Sequence, residues 1–328
     1  MSLEPQSPFF IFGCPRSGTS LLTRMLDRHP RIAIPYESHL YNRVYPIVRR
    51  AHLERAGVRT RLVAEILRSD YIREWDPPPS LSDTPAAIKR DDFHGIVDGL
   101  ISAWAQKQGK ARWGEKTPQH TLWWRTILDG FPDVQVIHLI RDGRDVALSY
   151  RAAHFGPKHV YHLAPRWIQY LAAAEAAQAA LGETGFLAVR YEDLLERPEA
   201  ELRRVCAFLG ESFDPDLLAF HRTAAAYPTD ERNEANLRKP ILAGNVQKWR
   251  TEMTAREVRL FEALAGPQLE RYGYVRSLRD ARISTWEALS CRYLEHPPRR
   301  AMAMLNNSQG RRLALQDLRF RLRMRFGL

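Results

Sequence analysis

The sequence predicts an α/β fold in which a parallel β-sheet is flanked by helices. Three short apolar runs, at residues 9–12, 134–140 and 186–190, are typical of buried strands. Each run is followed by a segment that is predicted to be helical, and strands that alternate with helices favour a parallel sheet with right-handed crossovers. The chain has 328 residues, which is enough for one large domain with an appendage.

The first strand leads into a glycine loop that predicts a phosphate site. Loop amides and the N-terminus of the following helix favour an anion at one spot. The spacing from Gly13 to Gly18 matches the nucleotide P-loop, but Thr19 occupies the position of the lysine and Arg16 lies inside the loop. This difference disfavours a metal-bound triphosphate and favours a shorter anion. The candidate binding residues are Pro15, Arg16, Ser17, Gly18, Thr19 and Ser20.

A second phosphate motif follows the strand at 134–140. Arg141 leaves the carboxyl end of this strand, and Ser149 follows two helical turns later. Ligands of open α/β sheets bind outside the carboxyl ends of the strands. We therefore expect Arg141 and Ser149 to hold a second phosphate near the first.

The two motifs together resemble those of the sulfotransferase family that uses 3′-phosphoadenosine 5′-phosphosulfate (PAPS). The resemblance extends over about residues 9–275 and is most specific at 13–20 and 141–149. It implies a P-loop-type parallel sheet flanked by helices, and transfer of a sulfuryl group to an acceptor hydroxyl without a metal. The product of the donor is 3′-phosphoadenosine 5′-phosphate (PAP). In motif the chain is most similar to the tyrosylprotein and carbohydrate branch.

Three further segments resemble the family less specifically. Tyr191 follows the strand at 186–190, where a tyrosine of the family approaches the nucleotide. Lys248 and Trp249 resemble a late loop that closes over the adenosine and the 3′-phosphate. Lys116 lies in a Lys-Thr-Pro element of the tyrosylprotein and carbohydrate type. Some relatives carry an additional arginine after the motif serine, and this chain has Ala152 and Ala153 there instead.

Sulfuryl transfer needs cations and a base. The cations stabilise charge in a loose transition state, as in phosphoryl transfer, and Arg16 and Lys116 are the candidates. The resemblance implies that Glu37, shortly after the first helix and its His29-Pro30, is the general base that takes the acceptor proton. The competing interpretation is that Glu37 caps a helix that begins near residue 39.

Histidine is the alternative base, because the cytosolic branch of the family uses one. His39 and His120 are the competitors, and both rank below Glu37. His138 lies in an apolar strand and is expected to be a core residue.

The chain divides into a P-loop domain at 1–278 and a basic extension at 279–328. A helical cap insertion occupies about 39–130 and is expected to bind the acceptor. Within it, helices are predicted at 39–70 and 91–108, with a proline-rich loop near 76–85. Further helices are predicted at 166–181, 199–209 and 255–272. In the extension, helices are expected to break at Pro297-Pro298 and at Asn306-Asn307.

The charge pattern draws attention to the end of the chain. The net charge is +11, and residues 311–328 contain six arginines interleaved with apolar residues. This segment predicts a basic amphipathic helix or a strand-like arm. It either packs on the domain with its arginines solvated or makes a homodimer or peripheral membrane contact. The absence of a basic-then-apolar leader and of an 18-residue apolar run predicts a cytoplasmic protein.

Two other function classes compete with the transferase. A P-loop kinase or nucleoside triphosphatase would need magnesium and a lysine in the loop, and Thr19 argues against it. A non-enzymatic nucleotide- or RNA-binding protein would use the basic tail, but the tail lacks regular base-stacking aromatics, so a nucleic-acid partner is disfavoured. The three scattered cysteines argue against a disulfide framework or a zinc site. The acceptor stays open among a small molecule, a glycan, a lipid and a peptide.

Overall fold

A computed structural model describes residues 7–153, 155–222, 237–242, 244–305, 311, 314–315 and 318–323. Its centre is a five-stranded sheet in the order β2-β3-β1-β4-β5, and all neighbouring strands are parallel. The strands are β1 (Phe9–Phe12), β2 (Ile32–Ala33), β3 (Arg112–Glu115), β4 (Gln135–Ile140) and β5 (Phe186–Arg190). The predicted parallel α/β architecture is confirmed.

The central strand β1 is covered on both faces. Its side chains alternate: Phe9 and Ile11 enter a cluster with helices on one face, and Phe10 and Phe12 enter a second cluster on the other. All four are at most 1% exposed. A parallel strand that is buried on both faces reads as a continuous apolar run, which explains why this strand was identifiable from the sequence.

The order of the strands places a crevice at the carboxyl end of β1. After β1 the chain forms β2 and β3 on one side of it and then crosses to form β4 and β5 on the other, so the strand order reverses at β1. The predicted strands β1, β4 and β5 are confirmed. Strands β2 and β3 were not predicted, because β2 has only two residues and β3 has a charged residue at each end in place of an apolar run.

The helices flank the sheet and build the cap. Those that follow β1, β4 and β5 are confirmed, as are the long helices before β5 and near the end of the domain. In chain order they are α1 (Thr19–Leu26), α2 (Tyr45–Val48), α3 (Ala56–Leu67), α4 (Asp70–Arg73), α5 (Thr84–Ala87), α6 (Phe93–Lys107), α7 (Trp124–Gly130), α8 (Gly143–Ala152), α9 (Val160–Gly185), α10 (Tyr191–Glu196), α11 (Pro198–Leu209), α12 (Trp249–Glu252), α13 (Ala255–Arg271), α14 (Thr285–Leu289) and α15 (His296–Leu305). Helical turns of 3₁₀ or π type occupy Leu40–Val44, Pro118–Trp123, Pro215–Arg222 and Ser290–Glu295.

Two helix predictions are wrong in detail. The helix expected over 39–70 is broken into the π-type turn, α2, α3 and the start of α4, and non-helical chain at 49–55 separates α2 from α3. The break expected at Pro297-Pro298 does not occur. Both prolines lie in the first turn of α15, which continues directly from the π-type turn Ser290–Glu295. Asn306-Asn307 lies outside the described residues.

The extension packs on two parts of the domain. Cys291 is fully buried in the cluster formed by α8, α9 and α13. Residues 318–323 are helical, Phe320 is buried in the cap cluster, and Arg323 Nε lies 3.3 Å from Glu65 Oε2 of α3. The division at residue 278 stays a prediction, with contacts on both sides of it.

Candidate functional site

The carboxyl end of each strand carries a residue of the candidate site. The phosphate loop follows β1, Glu37 follows β2, Lys116 follows β3, Arg141 follows β4 and Tyr191 follows β5. Because the strands are parallel, these ends meet at one edge of the sheet. The sequence gives no direct signal for this convergence, since the five positions are spread over more than half of the chain.

The phosphate loop has the backbone of an anion cradle. Arg16 (φ 77°) and Gly18 (φ 93°) both have left-handed backbone angles, and Gly18 precedes the first residue of α1. Such turns form concavities lined by amides. The start of the loop is held by the helical turn Pro118–Trp123, because the Gly13 N–H donates to Thr121 Oγ1 at 2.9 Å. Burial raises the pKa of the Cys14 thiol to about 12, so this cysteine is not a thiolate nucleophile.

The structure brings the two phosphate motifs into direct contact. Arg16 Nε donates to Ser149 Oγ at 3.0 Å, and Arg141 Nη1 donates to the backbone carbonyl of Arg16 at 3.2 Å. Two segments that are more than 120 residues apart in sequence therefore form one cationic surface.

Arg141 is held by the strand end of β5 and by the late loop. Its guanidinium lies 4.4 Å from the centre of the Tyr191 ring, and its Nη2 donates to the carbonyl of Asn245 at 3.0 Å. Asn245 in turn donates to the Tyr191 hydroxyl at 2.7 Å. The ring also packs on the loop, since a Cβ added at Gly18 would lie 2.3 Å from Tyr191 Cδ2.

A lysine and a carboxylate face each other beside the loop. Lys116 is fully buried, and its Nζ donates to Glu37 Oε1 at 2.5 Å and to Ser20 Oγ at 3.3 Å. The side chain of Glu37 is 19% exposed, so its carboxylate can be reached from the crevice. Lys116 thus connects the start of α1 with the candidate base.

The histidines differ in their surroundings. His39 Nε2 lies 3.6 Å from Glu37 Oε2, and burial lowers the pKa of its imidazole to about 4, so this histidine is neutral at pH 7. Both ring nitrogens of His120 are engaged, since Nδ1 contacts Glu115 Oε2 at 2.7 Å and Nε2 accepts the N–H of Tyr41 at 3.2 Å. His138 is a core residue, as expected, and burial lowers its pKa to about 3.

Glu115, a buried carboxylate at the end of β3, was not identified from the sequence. Glu115 Oε1 accepts from Ser38 Oγ at 2.8 Å and from Thr117 Oγ1 at 2.6 Å, and Glu115 Oε2 is bonded to His120. Burial alone would raise the pKa of Glu115, but the contact with His120 and the two hydroxyl bonds outweigh it and lower the pKa to about 2. Its partner Ser38 directly follows Glu37 in the sequence, and Glu115 itself directly precedes Lys116. An acid directly before Lys116 at a strand end was the available signal.

The late loop at residues 244–249 packs against the helix α8. Trp249 is 3% exposed, and its backbone N–H donates to Asp145 Oδ1 at 2.9 Å. The guanidinium groups of Arg144 and Arg250 lie 3.6 Å and 4.7 Å from the centre of its ring. Trp249 therefore packs the loop onto α8. Lys248 is exposed at the start of α12.

The residues at the sheet edge fit a ligand with two anionic groups. Arg141 Nε is buried and has no hydrogen-bond partner among the described residues. Gly18 allows the loop to lie close against the Tyr191 ring, with which an added Cβ would collide. The surface around Arg16 and Arg141 thus has the amides and the positive charge that phosphate and sulfonate groups require.

One group of side chains elsewhere has the chemistry of metal ligands. His159, Cys291 and Glu295 bring one ligand atom each within 4.8 Å of one another. Arg256 already occupies this group, donating to Glu295 Oε1 at 2.7 Å and Oε2 at 2.8 Å and lying 3.6 Å from Cys291 Sγ. A cation of the protein itself therefore balances the carboxylate. Among the described residues, no helix combines the length and the apolarity that crossing a bilayer requires.

Comparisons with known proteins agree on one family. The model described as "Sulfotransferase family" matches residues 8–215. The chain is 26% identical over 298 residues to nodulation protein NoeE of Sinorhizobium fredii, covering 83% of this chain and 67% of that protein. It is 24% identical over 282 residues to protein-tyrosine sulfotransferase A of Caenorhabditis elegans, covering 82% and 67% of the two chains.

Solved structures show the same fold. The sulfotransferase domain of the Synechococcus PCC 7002 olefin synthase superposes with a TM-score of 0.53 at 24% identity, covering 81% of this chain and 97% of that domain. The sulfotransferase domain from the curacin biosynthetic pathway superposes with a TM-score of 0.54 at 19% identity, covering 84% and 99%.

Proposed function

The chain belongs to the sulfotransferase family and catalyses sulfuryl transfer, and from this premise we propose that PAPS is its donor and a hydroxyl compound its acceptor. The observation that carries the proposal is the contact between Arg16, Ser149 and Arg141, because it joins two cationic motifs into one site for a doubly anionic nucleotide. PAPS has this charge pattern, with a 5′-phosphosulfate and a 3′-phosphate.

Each end of the donor has its own set of residues in the proposal. The amides of residues 15–20 and the Arg16 side chain hold the 5′-phosphosulfate. Arg141 and Ser149 hold the 3′-phosphate, with Lys248 as an additional cation at the rim. Tyr191 supports both sets, since its ring contacts the Arg141 guanidinium and packs on Gly18. Trp249 keeps the late loop against α8.

The reacting groups come from the ends of β2 and β3. PAPS supplies the sulfuryl group, which forms a bond to the acceptor oxygen while its bond to the phosphate of PAP breaks. The Glu37 carboxylate takes the hydroxyl proton as the general base. Lys116 and Arg16 stabilise the negative charge on the sulfonyl and bridging oxygens. Lys116 also fixes the Glu37 side chain by the 2.5 Å contact.

The acceptor enters from the side of the cap in this proposal. Glu37 lies at the base of the cap insertion, where its carboxylate is partly exposed. Hydroxyl-bearing proteins, glycans, lipids and small molecules are the candidate acceptors, and a cytoplasmic location stays a prediction. A kinase is the less favoured alternative, because Thr19 stands in place of the P-loop lysine.

Calorimetric titration tests the donor. We expect the purified protein to bind PAP in the absence of metal, and to bind ATP with magnesium more weakly. Arg141→Ala should abolish the preference for PAP. Binding of ATP with magnesium in place of PAP would overturn the choice of donor and favour the kinase.

A further inference from the structure

The C-terminal extension concentrates the exposed apolar side chains of this protein. Among the described residues, eight of the twelve large apolar side chains that are exposed lie between 286 and 322. Trp286 is 83% exposed, Leu294 70% and Met302 66%. Trp286, Leu289 and Tyr293 follow at spacings of three and four along consecutive helical segments, so they share one side. An apolar surface of this kind marks an interaction site.

The same segment carries most of the excess positive charge. Residues 279–328 contain eleven arginines and four acidic residues, within a chain whose net charge is +11. The arginines that accompany the exposed apolar side chains are themselves exposed, among them Arg282, Arg292 and Arg300. The extension is therefore both basic and apolar on its outer side.

Two of the four acidic residues of this segment, Glu287 and Glu295, pair with side chains of the domain. Glu287 accepts from Arg256 at 3.0 Å and from Arg259 at 2.6 Å, and Glu295 is bonded to Arg256 and to His159. Both arginines belong to α13, against which the extension docks. These ion pairs attach the extension to α13 and neutralise the two carboxylates. Positive charge therefore dominates the surface of the extension that faces away from α13.

We propose that this outer surface docks on an anionic lipid membrane. Exposed tryptophan and tyrosine beside leucine and methionine suit the boundary between headgroups and acyl chains, and arginines attract acidic headgroups. A second copy of the chain fits less well, because a symmetric contact would bring two arginine-rich surfaces together. Nucleic acid fits less well because most of the exposed side chains are aliphatic and cannot stack on bases.

Co-sedimentation of the full chain with vesicles tests the proposal independently of catalysis. We expect binding to vesicles that contain phosphatidylglycerol, weaker binding as salt rises, and little binding to phosphatidylcholine alone. Arg292→Glu with Arg300→Glu should weaken binding roughly tenfold or more. The matched control is Arg49→Glu with Arg50→Glu, which changes the net charge equally at exposed positions of the cap and should leave binding within roughly twofold.

A second pair of variants tests the contribution of the exposed apolar side chains to vesicle binding. Trp286→Ala should weaken vesicle binding, whereas Leu81→Ala, at an exposed leucine outside the extension, should not. Retained PAP binding shows that each variant is folded. Equal losses in the two charge-reversal pairs, or no sedimentation with anionic vesicles, would overturn the proposal. So would a dimer in solution that Trp286→Ala dissociates, or RNA binding by the extension without vesicle binding.

Discussion

Lys116 Nζ and Glu37 Oε1 lie 2.5 Å apart, and the two residues come from the ends of neighbouring strands, β3 and β2. Lys116 Nζ also donates to Ser20 Oγ of the phosphate loop, at 3.3 Å. The proposed base, the proposed cation and the start of α1 are therefore one connected unit.

Glu37→Gln should reduce turnover about 10²- to 10⁴-fold, because an amide cannot take the acceptor proton. PAP affinity should change little. Release of PAP from PAPS, measured with the best acceptor from a screen of hydroxyl compounds, gives the rate. His39→Asn is the matched control, since asparagine tolerates the left-handed backbone at this position (φ 53°). A Gln variant with normal turnover beside an inactive Asn variant would assign the base to His39.

Arg141→Ala should weaken PAP binding roughly 10- to 100-fold, as expected for the loss of hydrogen bonds from a charged group. Calorimetry measures the affinity. Tyr191→Phe keeps the ring against the guanidinium and removes only the hydroxyl that accepts from Asn245, so its affinity should stay within roughly fivefold. If both variants bound PAP like the wild type, the placement of the 3′-phosphate would be wrong.

Gly18→Ala should abolish PAP binding and lower the free energy of unfolding. The added Cβ would lie 2.3 Å from Tyr191 Cδ2, and the alanine would have to adopt a left-handed φ of 93°. Gly109→Ala is the control, because Gly109 has a φ of 69° and open space around its Cβ. Gly109→Ala should lower the free energy of unfolding by only about 1–2 kcal/mol, the cost of a left-handed backbone for alanine. Similar unfolding midpoints and PAP affinities in the two variants would show that the contact with Tyr191 does not matter.

Glu115→Gln should change the pH dependence of stability. The pKa of Glu115 is lowered from 4.5 in the unfolded chain to about 2 in the fold, so its stabilisation is present above pH 4.5 and is lost as the pH falls toward 2. The full contribution is about 3 kcal/mol. Denaturant unfolding at pH 7 and pH 3 should show the gap between wild type and variant narrowing at the lower pH. A gap that is independent of pH would contradict the role of this carboxylate.

The same variant tests whether Glu115 positions the reacting pair. It contacts the hydroxyls of Ser38 and Thr117, which adjoin Glu37 and Lys116. Turnover should therefore fall while PAP affinity is retained. A loss of stability with unchanged turnover would leave Glu115 with a purely structural role.

The parts of the site that the sequence predicted were those encoded locally. The loop after β1 and Arg141 after β4 follow apolar runs that are long enough to identify as strands. Glu37 follows β2, which has two residues, and Lys116 follows β3, whose four residues are not an apolar run, so the prediction of both residues depended on the family resemblance. The bonds from Glu115 to Ser38 and from Gly13 to Thr121 span 77 and 108 residues, and no local pattern encodes them.

The helix predicted over 39–70 failed for a related reason. Its apolar residues have helical spacing, but the chain after β2 must turn at His39 and again near 49–55 to cover one face of the sheet. Burial in the cap cluster then outweighs helix propensity. Sequence spacing describes each short helix correctly and cannot give their relative directions.

The position of the cap has an evolutionary consequence. The part of the cap that precedes β3 is inserted between β2 and β3, whose ends carry the proposed reacting pair, and it packs on Phe10 and Phe12 of β1 in one hydrophobic cluster. The proposed donor contacts come from the ends of β1, β4 and β5. Natural selection can therefore remodel the cap for a new acceptor while the donor half stays constant, and chimaeras that exchange this segment between relatives have a defined pair of junctions.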